Sequence, residues 1–173
     1  MGVLASVLLI AGACSAPERP AEATAEPAPA VAGTPGVDAP QRGLEVLPLE
    51  VRSGGRVHRF QVEVARSAQE QQIGMMFRRG VPADRGMIFP YDRPAPQSFW
   101  MRNVPVPLDI IYVREDGTIA TVANARPYDE TSIPSGEPAM LVLEIAGGRA
   151  AELGIKPGDR VSVPGLPFPR PAR

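Results

Sequence analysis

The residues able to do chemistry are few and scattered, and the carboxylates come first. Asp109 and Glu144 lie in the apolar runs LDIIYV and MLVLEIA, whereas Asp129, Glu130 and Asp159 sit among polar and turn residues. A pair of carboxylates across a cleft supports acid–base hydrolysis, glycoside cleavage included. Asp109 and Glu144 therefore define one alternative, a hydrolase acting on envelope carbohydrate or peptide. The simpler expectation for a carboxylate among apolar residues is an ion pair, because an unpaired buried charge is costly. Arg102 is the partner that the sequence offers. Asp159 follows Gly158 and suits a turn in which a carboxylate accepts backbone N–H groups.

Nucleophiles and metal ligands are scarcer. The only cysteine is Cys14, and the only histidine is His58. Ser98 has no histidine near it in sequence, and the chain has neither a Gly-x-Ser-x-Gly elbow nor a Gly-x-x-x-x-Gly-Lys phosphate loop. No Cys/His spacing of a zinc site occurs. No catalytic residue, metal site or cofactor is assigned. Met75, Met76, Met87 and Met101, with Trp100 adjacent and His58 in the same domain, form a soft-ligand set that could handle Cu(I), a second alternative. Filling irregular gaps beside aromatic rings is the ordinary work of methionine.

The remaining constellation is Trp100-Met101-Arg102-Asn103, with Asp109 shortly after. In an extended segment Trp100 and Arg102 share one side, and Phe99 and Met101 the other. Phe and Met suit a core. The indole N–H of Trp100 and the guanidinium of Arg102 suit a boundary, as a stacking surface beside a donor fork. Trp100, Arg102, Asn103 and Asp109 are thus the candidate ligand-binding residues, with Asp109 orienting Arg102.

These residues must be held by a β-rich scaffold. Leu44–Arg52 and Arg56–Ala65 read as strands joined at Ser53-Gly54-Gly55, and Phe60, Val62 and Val64 alternate with polar residues. His58 shares the inward parity. Ser67-Ala68-Gln69-Glu70 opens a helix with a capping box, predicted to run to about Met76 with Gly74 inside it. Gly86–Pro90 and Ser98–Met101 read as two strands around a proline-rich loop. Leu108–Val113 and Thr118–Ala123 flank an Asp-Gly hairpin signal. Asn124–Pro138 reads as a long polar loop, Met140–Ile145 as a strand, Arg149–Leu153 as a short helix stopped by Gly154, and Arg160–Val163 as the last strand. The expected fold is mainly β, a single antiparallel β-sandwich or barrel-like domain with one or two short helices.

The 173 residues divide unevenly. Residues 1–14 hold an apolar run too short to span a bilayer, ending in Ala11-Gly12-Ala13-Cys14. This pattern is similar to a bacterial lipoprotein export signal, with Cys14 carrying lipid. Residues 15–42 are rich in Ala, Pro, Glu and Thr and read as a disordered tether. Residues 43–165 form the globular β domain, and 166–173 a flexible tail. A net charge of −1 recommends no nucleic-acid partner. The expected location is exported, periplasmic or at the cell surface, with a lipid anchor in a membrane.

Several blocks carry a family resemblance. They are Gly74-Met75-Met76-Phe77-Arg78, Gly86-Met87-Ile88-Phe89, Phe99-Trp100-Met101-Arg102-Asn103, Pro107-Leu108-Asp109-Ile110, Val142-Leu143-Glu144 and Gly154-Ile155-Lys156-Pro157-Gly158-Asp159. In this order they resemble the domain of unknown function 192 family over about Val57–Val163. The resemblance implies a β-rich sandwich- or barrel-like fold and frequent export signals, and it brings no established reaction. The combined expectation is an exported, lipid-anchored, non-catalytic domain that binds a small molecule or envelope component.

Overall fold

The structure, a computed structural model, describes residues 1–2, 43–166 and 168. Two units divide the chain, Met1–Ala32 and Gly33–Arg173, and every described strand and helix belongs to the second. Cys14 and the tether 15–42 lie outside the described residues.

Strand β1 (Val46–Ser53) turns into β2 (Arg56–Val64) through Gly54 and Gly55, both at positive φ. That conformation suits glycine and matches the twist of a tight hairpin. Helix α1 (Ala68–Ile73) follows. Ser67 Oγ accepts from the Glu70 amide at 3.2 Å, and the Ser67 amide donates to Glu70 Oε2 at 2.8 Å, completing the expected capping box. The helix stops at Ile73, earlier than predicted, because Gly74 is its C-cap at φ 47°. Residues 65–84 carry the chain back so that β3 (Arg85–Phe99) pairs with β2 in parallel. A crossover of this length is what a parallel pair requires. The sheet is therefore mixed, and the expectation of a purely antiparallel one is corrected.

The second correction concerns β3. It is one strand through Pro90, Pro94 and Pro96, not two strands around a loop. Its register on β6 (Ile133–Ala146) shifts between Pro90 and Ala95 and between Pro96 and Ser98. Beyond Ile88 it has no β2 partner, so its prolines fall where one edge is unpaired and a missing N–H is tolerated. The same pairing absorbs Ile133–Pro138 of the expected Asn124–Pro138 loop into β6. Strands β4 (Leu108–Val113) and β5 (Ile119–Ala125), helix α2 (Arg149–Leu153) and strand β7 (Arg160–Ser162) lie close to their predicted bounds.

The seven strands run in the order β5-β4-β6-β3-β2-β1-β7. The sheet curls until its ends meet. Thr118 bridges Arg160, the Ile119 amide donates to the Asp159 carbonyl, and the Val161 amide donates to the Gly117 carbonyl. The central strands are buried on both faces. One face carries Leu49, Val51, Phe60, Val62, Ile88, Ile111, Leu143 and Val161. The other carries Met75, Met87, Phe89, Met101, Ile110, Tyr112 and Val142. Phe168, 9% exposed, packs into the first cluster.

Candidate functional site

Register decides which polar residues meet. Glu63 of β2 lies opposite Met87 of β3, Met87 opposite Glu144 of β6, and Glu144 opposite Ile110 of β4. Paired residues in a sheet share a face, so Glu63 and Glu144 belong to the face of the methionine-rich cluster. Asp109 pairs with Ile145 and points to the opposite face. The two carboxylates that a hydrolase would need across one cleft are separated by the sheet itself.

Asp109 is completely buried and occupied. Its Oδ1 accepts from Asn124 Nδ2 at 2.6 Å and from the Gly148 amide at 3.0 Å, and its Oδ2 from the Ala150 amide at 2.7 Å. It ties the start of α2 to β4. The expected partnership with Arg102 does not form, and Asp109 has no place at the cleft described next.

A cavity of about 230 Å³ opens against the other face. One wall runs from Gln71 of α1 through its C-cap Gly74 to Met76. The opposing wall comes from Phe89, Tyr91, Ser98, Phe99, Trp100, Arg102 and Val104, and Glu144 also lines it. Gln71 fixes the helix over the sheet, its Nε2 donating to the carbonyls of Ala65 at 3.2 Å and Pro90 at 3.3 Å. Gly74 brings the end of α1 onto Phe89, where a Cβ would sit 3.3 Å from the ring. Phe99 meets Phe89 edge-on at 4.9 Å and Tyr112 at 6.1 Å. The Tyr112 hydroxyl donates to the Ile133 carbonyl and is thereby removed from the cavity's chemistry.

Trp100 and Arg102 stand at the mouth. Trp100 is 44% exposed, and the Arg102 guanidinium lies 5.3 Å from its ring centroid, a cation–π pair. Met101 between them is fully buried. The inside–outside alternation thus holds, although β3 ends at Phe99 and a turn carries these residues. Asn103 occupies that turn at φ 57°, its carbonyl accepting from the Phe77 amide at 2.7 Å and its Nδ2 lying 3.9 Å from Met76 Sδ. It braces the mouth and does not line the cavity. Phe77, Asn103 and Tyr128 are the non-glycine residues at positive φ among those described. The Tyr128 amide donates to the Val104 carbonyl, so all three cluster around residues 100–104. Such concentrated strain persists only where surrounding structure over-determines it.

Glu144 is the residue whose position the sequence did not disclose. It is 4% exposed, and its Oε2 has no hydrogen-bond partner. Burial pushes its carboxyl up to about 8, against a smaller opposing pull from Arg78. Burial likewise pushes the Tyr91 hydroxyl up to about 12, with Glu144 contributing. The arginine near Glu144 is therefore Arg78, not Arg102. Arg78 forms an ion pair with Glu63, and its Nε is buried without a partner. The sequence signal for Glu144 is one acidic residue in the otherwise apolar run Met140–Ile145. What the apolar run could not disclose is the cavity in front of it.

The copper alternative loses its histidine. His58 shares the parity of Phe60, on the face opposite Met75, Met87 and Met101, which are buried within the second core cluster. Among the described residues no three His, Cys, Asp or Glu side chains are grouped as metal ligands.

The fold and cavity define a single mainly β domain: a curled mixed sheet of seven strands, with a short crossover helix walling a cleft on one face. The chain belongs to the family described as DUF192, uncharacterized ACR, whose model matches residues 49–163. It is similar to the crystal structure of a protein of unknown function from Novosphingobium aromaticivorans DSM 12444. The identity is 46%, the match covers 76% of this chain and 94% of that one, and the TM-score is 0.69. It is also similar to a proposed transcription regulator from Sinorhizobium meliloti 1021. There the identity is 36%, with 73% of this chain and 99% of that one covered and a TM-score of 0.70. No curated protein matches.

Proposed function

We propose that this chain is a non-catalytic binding domain that takes a small molecule or envelope component in the α1–β3–β6 cleft. One observation carries the reading. A carboxyl with an unpartnered oxygen lines an open cleft whose mouth bears a stacking ring and a guanidinium. Buried polar groups are normally satisfied, and an exception in a cavity marks a place for a ligand group. Trp100 and Arg102 are the contact residues at the mouth, Asn103 supports them, and Asp109 acts through the scaffold. The barrel-like form is the finer reading of the curled sheet.

Export and lipid anchoring belong to the same proposal and rest on Ala11-Gly12-Ala13-Cys14 and the Pro/Ala-rich stretch after it. A lipidated Cys14 would hold the domain off a periplasmic or cell-surface membrane by a tether. Mass spectrometry of the membrane fraction is expected to find a diacyl or triacyl Cys14. A Cys14→Ser chain that stays membrane-bound and uncleaved would overturn the anchor.

Trp100 is the only tryptophan, so its fluorescence reports the cleft directly. A panel of sugars, short peptides and amino acids is expected to contain members that change this fluorescence and raise the melting temperature. Trp100→Ala should abolish the melting response. A panel that moves neither signal would sink the binding reading.

A further inference from the structure

The lining of the cleft narrows the ligand's chemistry. Phe89, Tyr91, Phe99 and Trp100 bring four aromatic side chains to one cavity, and Glu144 is the only carboxylate among its lining residues. A carboxyl amid aromatic rings is poorly placed for an anion and well placed for an ammonium group. The cation gains a charge-assisted hydrogen bond from the carboxylate and the attraction of the ring faces. Arg102 at the mouth has the opposite preference, since its guanidinium forks onto carboxylate or phosphate. The two charges sit at different depths, Glu144 buried and Arg102 exposed.

We infer that the cleft takes a small zwitterion, with its ammonium group inward on Glu144 among the aromatic side chains and its anionic group outward on Arg102. This rests on the binding reading and names the ligand class for that same cleft. The volume of about 230 Å³ suits a molecule of amino-acid size.

The inference has a proton signature. Free Glu144 is held largely protonated at neutral pH by burial. An ammonium ligand must bind its ionised form and so releases a proton. The groups facing Glu144 are Arg78, from the turn after α1, which forms an ion pair with Glu63 of β2, together with Tyr91 of β3 and Tyr112 of β4. Arg102 lines the same cavity. Both tyrosines are pushed upward, so neither titrates in the window that Glu144 occupies.

The test is calorimetry on the full chain with ω-amino acids from glycine to 6-aminohexanoate, against the matching hydroxy acids. One chain length is expected to bind best, with affinity rising about tenfold per pH unit from about pH 6 and levelling near the Glu144 value of about 8. The hydroxy acids should bind at least about tenfold more weakly. Glu144→Gln should remove the pH slope and most of the affinity, while Arg102→Ala weakens binding and leaves the slope. Circular dichroism melting confirms that both variants fold. Equal binding of hydroxy acids, or affinity that falls as pH passes about 8, overturns the inference and shows Glu144 acting as a neutral hydrogen-bond donor, with the binding reading intact. Failure of both series also overturns it, and the binding reading is then judged by the Trp100 fluorescence panel.

Discussion

Asp109 and Glu144 lie on adjacent strands of one sheet and point to opposite faces. Asp109 is paired with Ile145 and Glu144 with Ile110. A one-residue offset in β4–β6 pairing gives the two carboxylates different occupations. Asp109 is saturated by two amides and an asparagine side chain. Glu144 keeps an oxygen free beside a cavity. One is scaffold and the other is available.

That availability has a cost in stability that depends on pH. Below about 4.5 the Glu144 carboxyl is protonated in both folded and unfolded chains. As pH rises toward about 8, only the unfolded chain ionises. Stability is therefore full at the acid end of this window and is lost with rising pH, by up to about 1.4 kcal/mol per unit from this group. Denaturant unfolding across the window is expected to show the decline in the wild type and a flatter profile in Glu144→Gln, with the variant more stable at pH 8.

Asp109→Ala removes an acceptor from three donors at once, two of them backbone amides at the start of α2. Each stranded buried donor costs roughly 1–3 kcal/mol, less where water reaches it. A loss of about 2–5 kcal/mol in urea unfolding is expected. Any ligand response of Trp100 fluorescence should survive at temperatures where the variant is folded.

Trp100 and Met101 are neighbours with opposite fates, and their truncations should separate. Trp100→Ala at the exposed mouth is expected to abolish the ligand response with less than about 1 kcal/mol of lost stability. Met101→Ala empties a fully buried position and should cost about 2–5 kcal/mol. Equal losses of stability in the two variants would contradict the assignment.

The α1 wall rests on its cap. None of the residues of α1 itself, Ala68–Ile73, is buried, so the order of the helix depends on the capping box and on Gln71, with Met75 just beyond it held in the second cluster. Ser67→Ala should cost about 1 kcal/mol. Hydrogen exchange of the α1 amides should accelerate more than that of β4 or β6.

Local signals were the legible ones. The capping box at Ser67, the glycines of the β1–β2 turn and Asp116-Gly117 each act over a few residues, and each is found where the sequence placed it. The alternation through Trp100, Met101 and Arg102 was also readable. What escaped reading depends on partners distant in sequence. The prolines of β3 look like a loop until β6 lies beside them. The parallel pairing of β2 and β3 is a property of the crossover and not of either strand. Arg78 belongs near Glu144 because Glu63 and Glu144 share a face across Met87, which no spacing within the chain reveals.

The strand order has a consequence for the time the domain takes to form. Strand β3 is flanked by β2 and by β6, and β1 by β2 and by β7, so the early strands cannot acquire their full set of neighbours until the late ones exist. The seam between Thr118 and Arg160 and the bond from Ser53 Oγ to the Gly154 carbonyl also wait for the end of the domain. Partners so far apart in sequence carry a large loop-closure entropy before they bring any gain. Folding on the scale of milliseconds to seconds is the outcome for such topologies. The cleft itself needs β3 and β6 side by side, so it cannot form before β6 is available to pair.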